Sequence, residues 1–239
     1  MEKNQKGKNP ALQTGTECGA KATQKTKFTH PLRQKGGIYF YAGSITKRKN
    51  VFVTPEYINL LVNAFKYAEL KKDIKNLAYV VMPNFFYWIF KLSDLQDDPI
   101  NVFGEVKRDV AREVINNLKM ETKNGDFKLD PIVKGNERVA RSAPQRILAT
   151  FAEEAKKYEN KRYRVWTPKT ELRLIDSPEL LQEKLAIVTK APSNERWQLV
   201  KDAKKYPYLY LAEDLAELSM EELKIYTMNL LETVSYTKS

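Results

Sequence analysis

Residues 77–90 read LAYVVMPNFFYWIF, which is two apolar runs on either side of the pair Pro83-Asn84. β-Branched and aromatic residues favour strands, and proline next to asparagine favours a turn. The stretch therefore predicts a β-hairpin, with one strand at 77–82 and a second at 85–90 returning beside it. Phe85 and Tyr87 are two residues apart, so they should share one face of the sheet.

The sequence on both sides of this hairpin predicts further strands and helices. An aromatic run at 38–41 favours a strand, and Thr54 followed by Pro55 is typical of the start of a helix, which should end near Lys72. Apolar residues at helical spacing predict a second helix over 101–119. The remaining expectations are a loop at 121–141, a helix around 147–158, short strands at 163–166 and 171–175, a helix from 178 to about 188, and one or two helices over 212–231. This order predicts an α+β fold, an antiparallel sheet with helices packed on one face.

Charge and composition indicate the class of partner. The chain has 239 residues and a formal net charge of +11, so a polyanion is the expected partner, and excess lysine that only favours solubility is the alternative. No apolar run approaches the roughly 20 residues needed to span a bilayer, and residues 1–19 lack the apolar stretch of a signal peptide. We therefore expect no membrane partner and a cytoplasmic location.

His30 is the single histidine and Cys18 the single cysteine. Common zinc, copper and non-haem iron sites therefore cannot be assembled within one chain, and Ser-His or Cys-His catalysis would have to use His30. Both residues fall in a polar, lysine-rich segment that we predict to be disordered. The predicted organisation is a disordered basic tail at 1–35, a nucleic-acid-binding domain at 36–210 and a helical extension at 211–239.

Residues 79–89, YVVMPNFFYWI, resemble the signature of the REP-associated tyrosine transposases, which are single-tyrosine members of the HUH nucleases. In that family Met-Pro-Asn is followed by His-x-His. The resemblance covers roughly Gly37 to Tyr208 and includes the segments at 103–108, 162–166 and 195–200. It implies a ferredoxin-like antiparallel sheet, a HUH single-tyrosine transposase-like fold with additional C-terminal helices.

The resemblance also implies that the active site has been lost. In active members the two histidines hold a divalent metal, and a tyrosine in a late helix attacks a DNA phosphate. The corresponding positions here are Phe85, Tyr87 and Ile187. Phenylalanine and isoleucine offer neither a metal ligand nor a hydroxyl, so we expect no catalytic residues, no metal and no cofactor.

The resulting hypothesis is a catalytically dead, transposase-derived protein of the nucleoid that binds DNA, with hairpin or single-stranded DNA favoured. The resemblance and the positive charge nominate Lys107, Arg108 and Arg112, then Lys47, Arg48 and Lys49, and finally Arg162, Arg164 and Lys169. Phe85 and Tyr87 have two interpretations, an apolar plug in the vacated metal site or a platform on which a base stacks, and the plug is favoured.

Two other functions stay open from the sequence alone. An active nuclease would need another nucleophile, for which Tyr87, Tyr163, Tyr208 and Tyr226 are the candidates, and carboxylates at Asp94, Asp97, Asp98 or Glu105 for Mg²⁺. An assembly subunit would use the C-terminal helices to bind another protein, through a seam of Leu215, Leu218, Leu223, Met228 and Leu231.

Overall fold

The computed structural model describes residues 34–95, 98–125, 140–158, 161–216, 225 and 228–229. In chain order the strands are β1 (Ile38–Ser44), β2 (Ile74–Met82), β3 (Phe85–Leu92), β4 (Glu171–Ile175) and β5 (Leu209–Leu211). The helices are α1 (Pro55–Lys72), α2 (Pro99–Asn124), α3 (Pro144–Ala155), α4 (Pro178–Lys190) and α5 (Glu213–Ala216). Residues 1–33 of the predicted tail, which was expected to span 1–35, lie outside the described residues, as does most of the predicted extension after residue 216.

The predicted hairpin is confirmed. β2 and β3 pair antiparallel with Met82 opposite Phe85, so Pro83 and Asn84 alone connect the two strands. Within the described residues the sheet has the order β4-β1-β3-β2-β5, and every pairing is antiparallel. The α+β class with an antiparallel sheet is therefore confirmed, and the hairpin forms the centre of the sheet.

Local sequence signals explain where the helices begin and end. α1, α2, α3 and α4 each begin with a proline, whose fixed φ suits the first helical turn. The side chain of Asp98 accepts a hydrogen bond from the Asn101 amide and caps α2, and Ser177 caps α4 through the Leu180 amide. α2 ends at Asn124, and the next residue, Gly125, has a φ of 70°, the left-handed conformation that glycine adopts without strain.

Helices cover both faces of the sheet, which corrects the prediction of helices on one face. Alternate residues of β1 and β3, such as Tyr41 and Trp88, pack in one core with α1, α2 and α3. The intervening residues, such as Phe40 and Ile89, pack in a second core with α4 and the segments after it. The central strands are apolar on both faces, and both faces must therefore be shielded from water.

Other boundaries differ from prediction. Residues 163–166 do not form a strand, because only Trp166 bridges to the sheet, opposite Ile45. α2 continues to Asn124, into the predicted loop at 121–141, whose residues 126–139 lie outside the described residues. The segment 209–211, not predicted as a strand, pairs with β2, and Leu215 of α5 is buried in the second core. The domain boundary predicted at residue 210 therefore falls inside β5.

A buried amide connects α1 to the hairpin. The Asn76 Nδ2 donates to the Phe65 carbonyl at 3.0 Å, and the Trp88 indole Nε1 donates to Asn76 Oδ1 at 2.8 Å. Glu69 accepts from both the backbone and the side chain of Asn76. The β2–β3 register shifts between Asn76 and Ala78, and this bulge orients the amide toward α1.

We predict that Asn76→Ala lowers the free energy of unfolding by about 3 kcal/mol, because it leaves the Trp88 indole and the Phe65 carbonyl buried without their partner. Urea unfolding followed by tryptophan fluorescence measures the loss. Asn116→Ala, at an exposed position of α2, is the matched control and should change stability by less than about 0.5 kcal/mol. Equal effects of the two substitutions would contradict this role for Asn76.

Candidate nucleic-acid interface

Three chain segments meet at the end of the sheet where β2 turns into β3. The Pro83 carbonyl accepts hydrogen bonds from the amides of Val51 and Phe52, both at 2.9 Å. The Thr46 amide donates to the Val165 carbonyl at 2.8 Å. Residues 45–52 are therefore held against the hairpin turn, and residues 165–167 are held against residues 44–46. The basic residues Lys47, Arg48 and Lys49 consequently lie at this end of the sheet.

Lys47 and Arg48 form a strained turn directly after β1. Their φ angles are 53° and 50°, so two successive residues with side chains adopt the left-handed conformation. That conformation costs roughly 1–2 kcal/mol for a residue other than glycine. Strain of this kind persists only where surrounding contacts hold it, and it is concentrated at functional sites.

We call four cations from three parts of the chain the Lys107 cluster: Lys47, Lys107, Lys161 and Arg164. The charges of Lys161 and Arg164 act on Lys107, and Lys47 joins them through the Glu154 carboxylate, on which both Lys47 and Arg164 act. Lys107 lies on α2 and its Nζ is 5.9 Å from the centre of the Trp166 ring. Burial, with smaller contributions from the charges of Arg164 and Lys161, lowers the pKa of Lys107 to about 8. Positive charge is thus concentrated around a half-buried amine.

Glu154 of α3 lies beside this cluster. Its carboxylate contacts the Lys47 ammonium at 3.9 Å and accepts a hydrogen bond from Lys157 at 2.9 Å. The Lys157 hydrogen bond, with smaller contributions from Lys47 and Arg164, lowers the pKa of Glu154. One carboxylate therefore interacts with several cations, so the net charge around the Lys107 cluster stays positive.

Aromatic rings orient the cations. The Arg164 guanidinium lies 3.5 Å from the centre of the Tyr158 ring, and its Nε donates to the Trp166 carbonyl at 3.3 Å. The Trp166 indole donates to the Lys107 carbonyl at 2.8 Å. These contacts hold both Arg164 and Lys107 beside Trp166 and explain why two residues 57 positions apart come together.

The other nominated residues lie elsewhere. Arg108 and Arg112 form ion pairs with acids of their own helix, chiefly Asp109, which neutralise part of their charge. Arg162 and Lys169 are exposed on the segment between α3 and β4, and Lys49 is half-buried after the strained turn. Of the nine nominated residues, the structure thus brings Lys47, Lys107 and Arg164 into one cluster.

An open groove of about 510 Å³ lies on the other side of the strained turn. It is lined by Arg48, Asn50, Asn84, Glu195, Arg196 and Trp197. The Arg196 guanidinium lies 5.5 Å from the Trp197 ring centre. We call this the Asn84 groove, and it adds two arginines and an aromatic side chain to the same end of the sheet.

Phe85 and Tyr87 are both half-buried on the sheet face that α4 covers. Their rings lie 4.9 Å apart, Phe85 lies 5.9 Å from Trp197, and Tyr87 lies 5.6 Å from Phe40. Burial, with a smaller contribution from Glu171, raises the pKa of Tyr87, so the phenol stays neutral. Packing among rings is the arrangement expected of a plug. Ile187, on α4, is 36% exposed.

Sequence reasoning missed a buried lysine in this region. Lys184 of α4 is 5% exposed, and its Nζ lies 3.1 Å from Glu171 Oε1, 3.3 Å from Glu183 and 4.8 Å from the Phe40 ring centre. The helical spacing of the apolar residues could have identified it, because position 184 lies on the same side of the helix as the buried residues Leu180, Leu181, Leu185 and Val188. Lys161 was missed because it lies in an irregular segment without a periodic pattern.

Two of the four carboxylates proposed as Mg²⁺ ligands have structural partners. Asp98 caps α2, and the Glu105 carboxylate forms an ion pair with Lys72. Asp94 is exposed, and Asp97 lies outside the described residues.

Of the proposed C-terminal seam, Leu215 is buried and Met228 is 51% exposed, and the other three leucines lie outside the described residues. No helix in the described part of the chain has the length and apolarity needed to cross a membrane.

Comparison with solved structures finds several similar chains. The chain is similar to a solved structure of a REP-associated tyrosine transposase bound to a REP hairpin, with 16% identity, a TM-score of 0.47, and coverage of 75% of this chain and 79% of that one. That protein belongs to the family which the sequence resembles. No protein-family model matches the sequence, and no curated protein matches it.

The lowered pKa of Lys107 gives a test of the cluster that needs no DNA. An amine whose pKa falls to about 8 on folding is destabilising while charged, and this penalty disappears as pH rises from about 8 toward the ordinary value of 10.5. We therefore predict that wild type gains stability relative to Lys107→Met between pH 7.5 and pH 9.5. Urea unfolding at both values measures the difference, and a constant difference would contradict the proposed environment of Lys107.

Proposed function

We propose that this protein binds DNA through the end of the sheet where β2 turns into β3. The observation that carries the proposal is the Lys107 cluster, in which Lys47, Lys107 and Arg164 converge from separate parts of the chain with Lys161 beside them. Such a concentration of positive charge is unfavourable unless an anion offsets it. A phosphate backbone supplies repeated negative charges at the spacing of neighbouring nucleotides.

The Asn84 groove supports contact beyond a single phosphate. Arg48 and Arg196 line it, and Arg48 is the immediate neighbour of Lys47 in the strained turn. A strand that contacts Lys47 can therefore also reach Arg48 and the groove. The preference for hairpin or single-stranded DNA rests on the resemblance of residues 79–89 to the transposase signature, and irregular DNA suits a surface divided in this way.

We further propose that the protein does not cleave the DNA it binds. The three positions that correspond to the catalytic groups are Phe85, Tyr87 and Ile187. Phe85 and Tyr87 pack against other rings, and the pKa of the Tyr87 phenol is raised, which disfavours the phenolate that would attack a phosphate. Binding without chemistry is therefore the function that these side chains support.

Salt dependence tests the binding proposal. Affinity for a labelled hairpin DNA, measured by fluorescence anisotropy, should fall steeply between 50 and 200 mM salt because bound counterions are released. Lys107→Ala and Arg164→Ala should each weaken binding and reduce the slope of log affinity against log salt by about 1. Each substitution removes one phosphate contact.

Arg108→Ala is the matched control. It removes the same charge from α2, one residue from Lys107, but Arg108 lies outside the cluster and pairs with Asp109. Its effect on the slope should be clearly smaller than that of Lys107→Ala. Undetectable or salt-independent binding by the wild-type protein would overturn the proposed function, and equal slopes for the two variants would move the interface away from the cluster.

Incubation with single-stranded hairpin DNA in the presence of Mg²⁺ or Mn²⁺ tests the absence of cleavage. Denaturing gels should show intact DNA and no covalent protein–DNA adduct, because the chain lacks the two histidine ligands and the tyrosine at position 187. The Tyr87→Phe variant serves as the control for any adduct. A metal-dependent adduct in wild type that disappears in Tyr87→Phe would identify Tyr87 as a nucleophile and contradict the proposal.

A further inference from the structure

Asn84 makes contacts that do not belong to the hairpin itself. Its side-chain Nδ2 donates to the Arg48 carbonyl at 3.0 Å and to Asn50 Oδ1 at 2.8 Å. Its own carbonyl accepts from the Ile45 amide at 2.8 Å. One residue of the β2–β3 turn therefore holds both ends of the strained Lys47–Arg48 turn.

The hydrogen bonds that begin at Asn84 continue through Asn50 to the segment before α3. Asn50, which accepts from Asn84, donates its own Nδ2 to the Ala140 carbonyl at 3.1 Å. α3 carries Glu154, the carboxylate that contacts Lys47. The strained turn is thus fixed from the hairpin on one side and from the segment before α3 on the other.

The left-handed turn directs the neighbouring side chains of Lys47 and Arg48 to different parts of the surface. Lys47 reaches Glu154 and belongs to the Lys107 cluster, whereas Arg48 lines the Asn84 groove together with Arg196. Two successive residues of an extended strand would also diverge, but onto the two faces of the sheet, both of which are filled here by core residues. The positive φ angles move the two cations to the end of the sheet instead.

We infer that Asn84 is a positioning residue for DNA binding: it holds the Lys47–Arg48 turn so that one cation joins the Lys107 cluster and the other joins the Asn84 groove. This inference rests on the proposed function. Asn84 is 6% exposed, and its amide group already donates to two acceptors within the protein. It therefore acts through Lys47 and Arg48 and not as a DNA contact of its own.

A double-mutant cycle tests the inference. Asn84→Ala removes the donor without adding charge, and Asn84→Asp removes it at nearly constant size. Each is made in wild type and in a Lys47→Ala/Arg48→Ala background, and hairpin-DNA affinity is measured at one salt concentration. Both should weaken binding about tenfold in wild type and less than twofold in the background that already lacks the two cations. Asn116→Asp, at an exposed position, controls for the added charge.

Trypsin provides a readout that does not depend on DNA. Cleavage after Lys47 and Arg48, identified by mass spectrometry under native conditions, should accelerate in the Asn84 variants because the turn opens more often. Asn76→Ala, which destabilises the fold away from this turn, controls for a general loss of stability. It should not produce selective cleavage at these two sites.

The outcomes separate the inference from the proposed function. Equal losses of affinity in both backgrounds would overturn the positioning role while DNA binding stands, and so would unchanged tryptic cleavage in the Asn84 variants. Absence of DNA binding by wild type would overturn the proposed function and, with it, the role assigned to Asn84 in binding. Selective cleavage in that case would leave Asn84 as a clamp of the turn alone.

Discussion

The connection between β2 and β3 is two residues long, and the end of the sheet depends on this constraint. A turn so short leaves the Pro83 and Asn84 carbonyls projecting beyond the paired strands, where the amides of Ile45, Val51 and Phe52 bind them. Those hydrogen bonds hold the segment that follows β1 against the hairpin turn. Lys47, Arg48 and Lys49 lie between these hydrogen-bonded positions. The hairpin turn therefore determines where their positive charge lies on the surface.

That charge is costly for the free protein. Burial and two neighbouring cations all disfavour the protonated form of Lys107, and the strained turn adds a conformational cost at Lys47 and Arg48. Aromatic contacts at Trp166 and Tyr158 offset part of this by holding the cations over rings. A bound anion would offset more of this electrostatic cost. Arg108 and Arg112, by contrast, are already matched by acids one or three residues away, so an anion has less to gain from them.

The sequence predicted the elements whose signals are local. Apolar periodicity and proline positions located the hairpin and the starts of α1 and α4 because each depends on residues close in the chain. β5 was missed because its three residues are a strand only through pairing with β2. The Lys107 cluster was predicted in part: charge nominated Lys47, Lys107 and Arg164, but their convergence depends on Trp166, whose indole bonds to α2 across 59 positions. Nothing in the spacing of Asn84 and Arg48, 36 positions apart, indicated their hydrogen bond.

The region around Tyr87 combines packed aromatic rings with a buried ion pair. Lys184 lies near the Tyr87 phenol, buried and paired with Glu171, and its charge acts on that phenol. Glu171 acts on the same phenol in the opposite direction, and Glu183 also contacts the Lys184 ammonium, at 3.3 Å. Loss of Lys184 would in turn leave Phe40 without the cation over its ring and Glu171 without its partner. The ring cluster and the buried ion pair therefore stabilise each other.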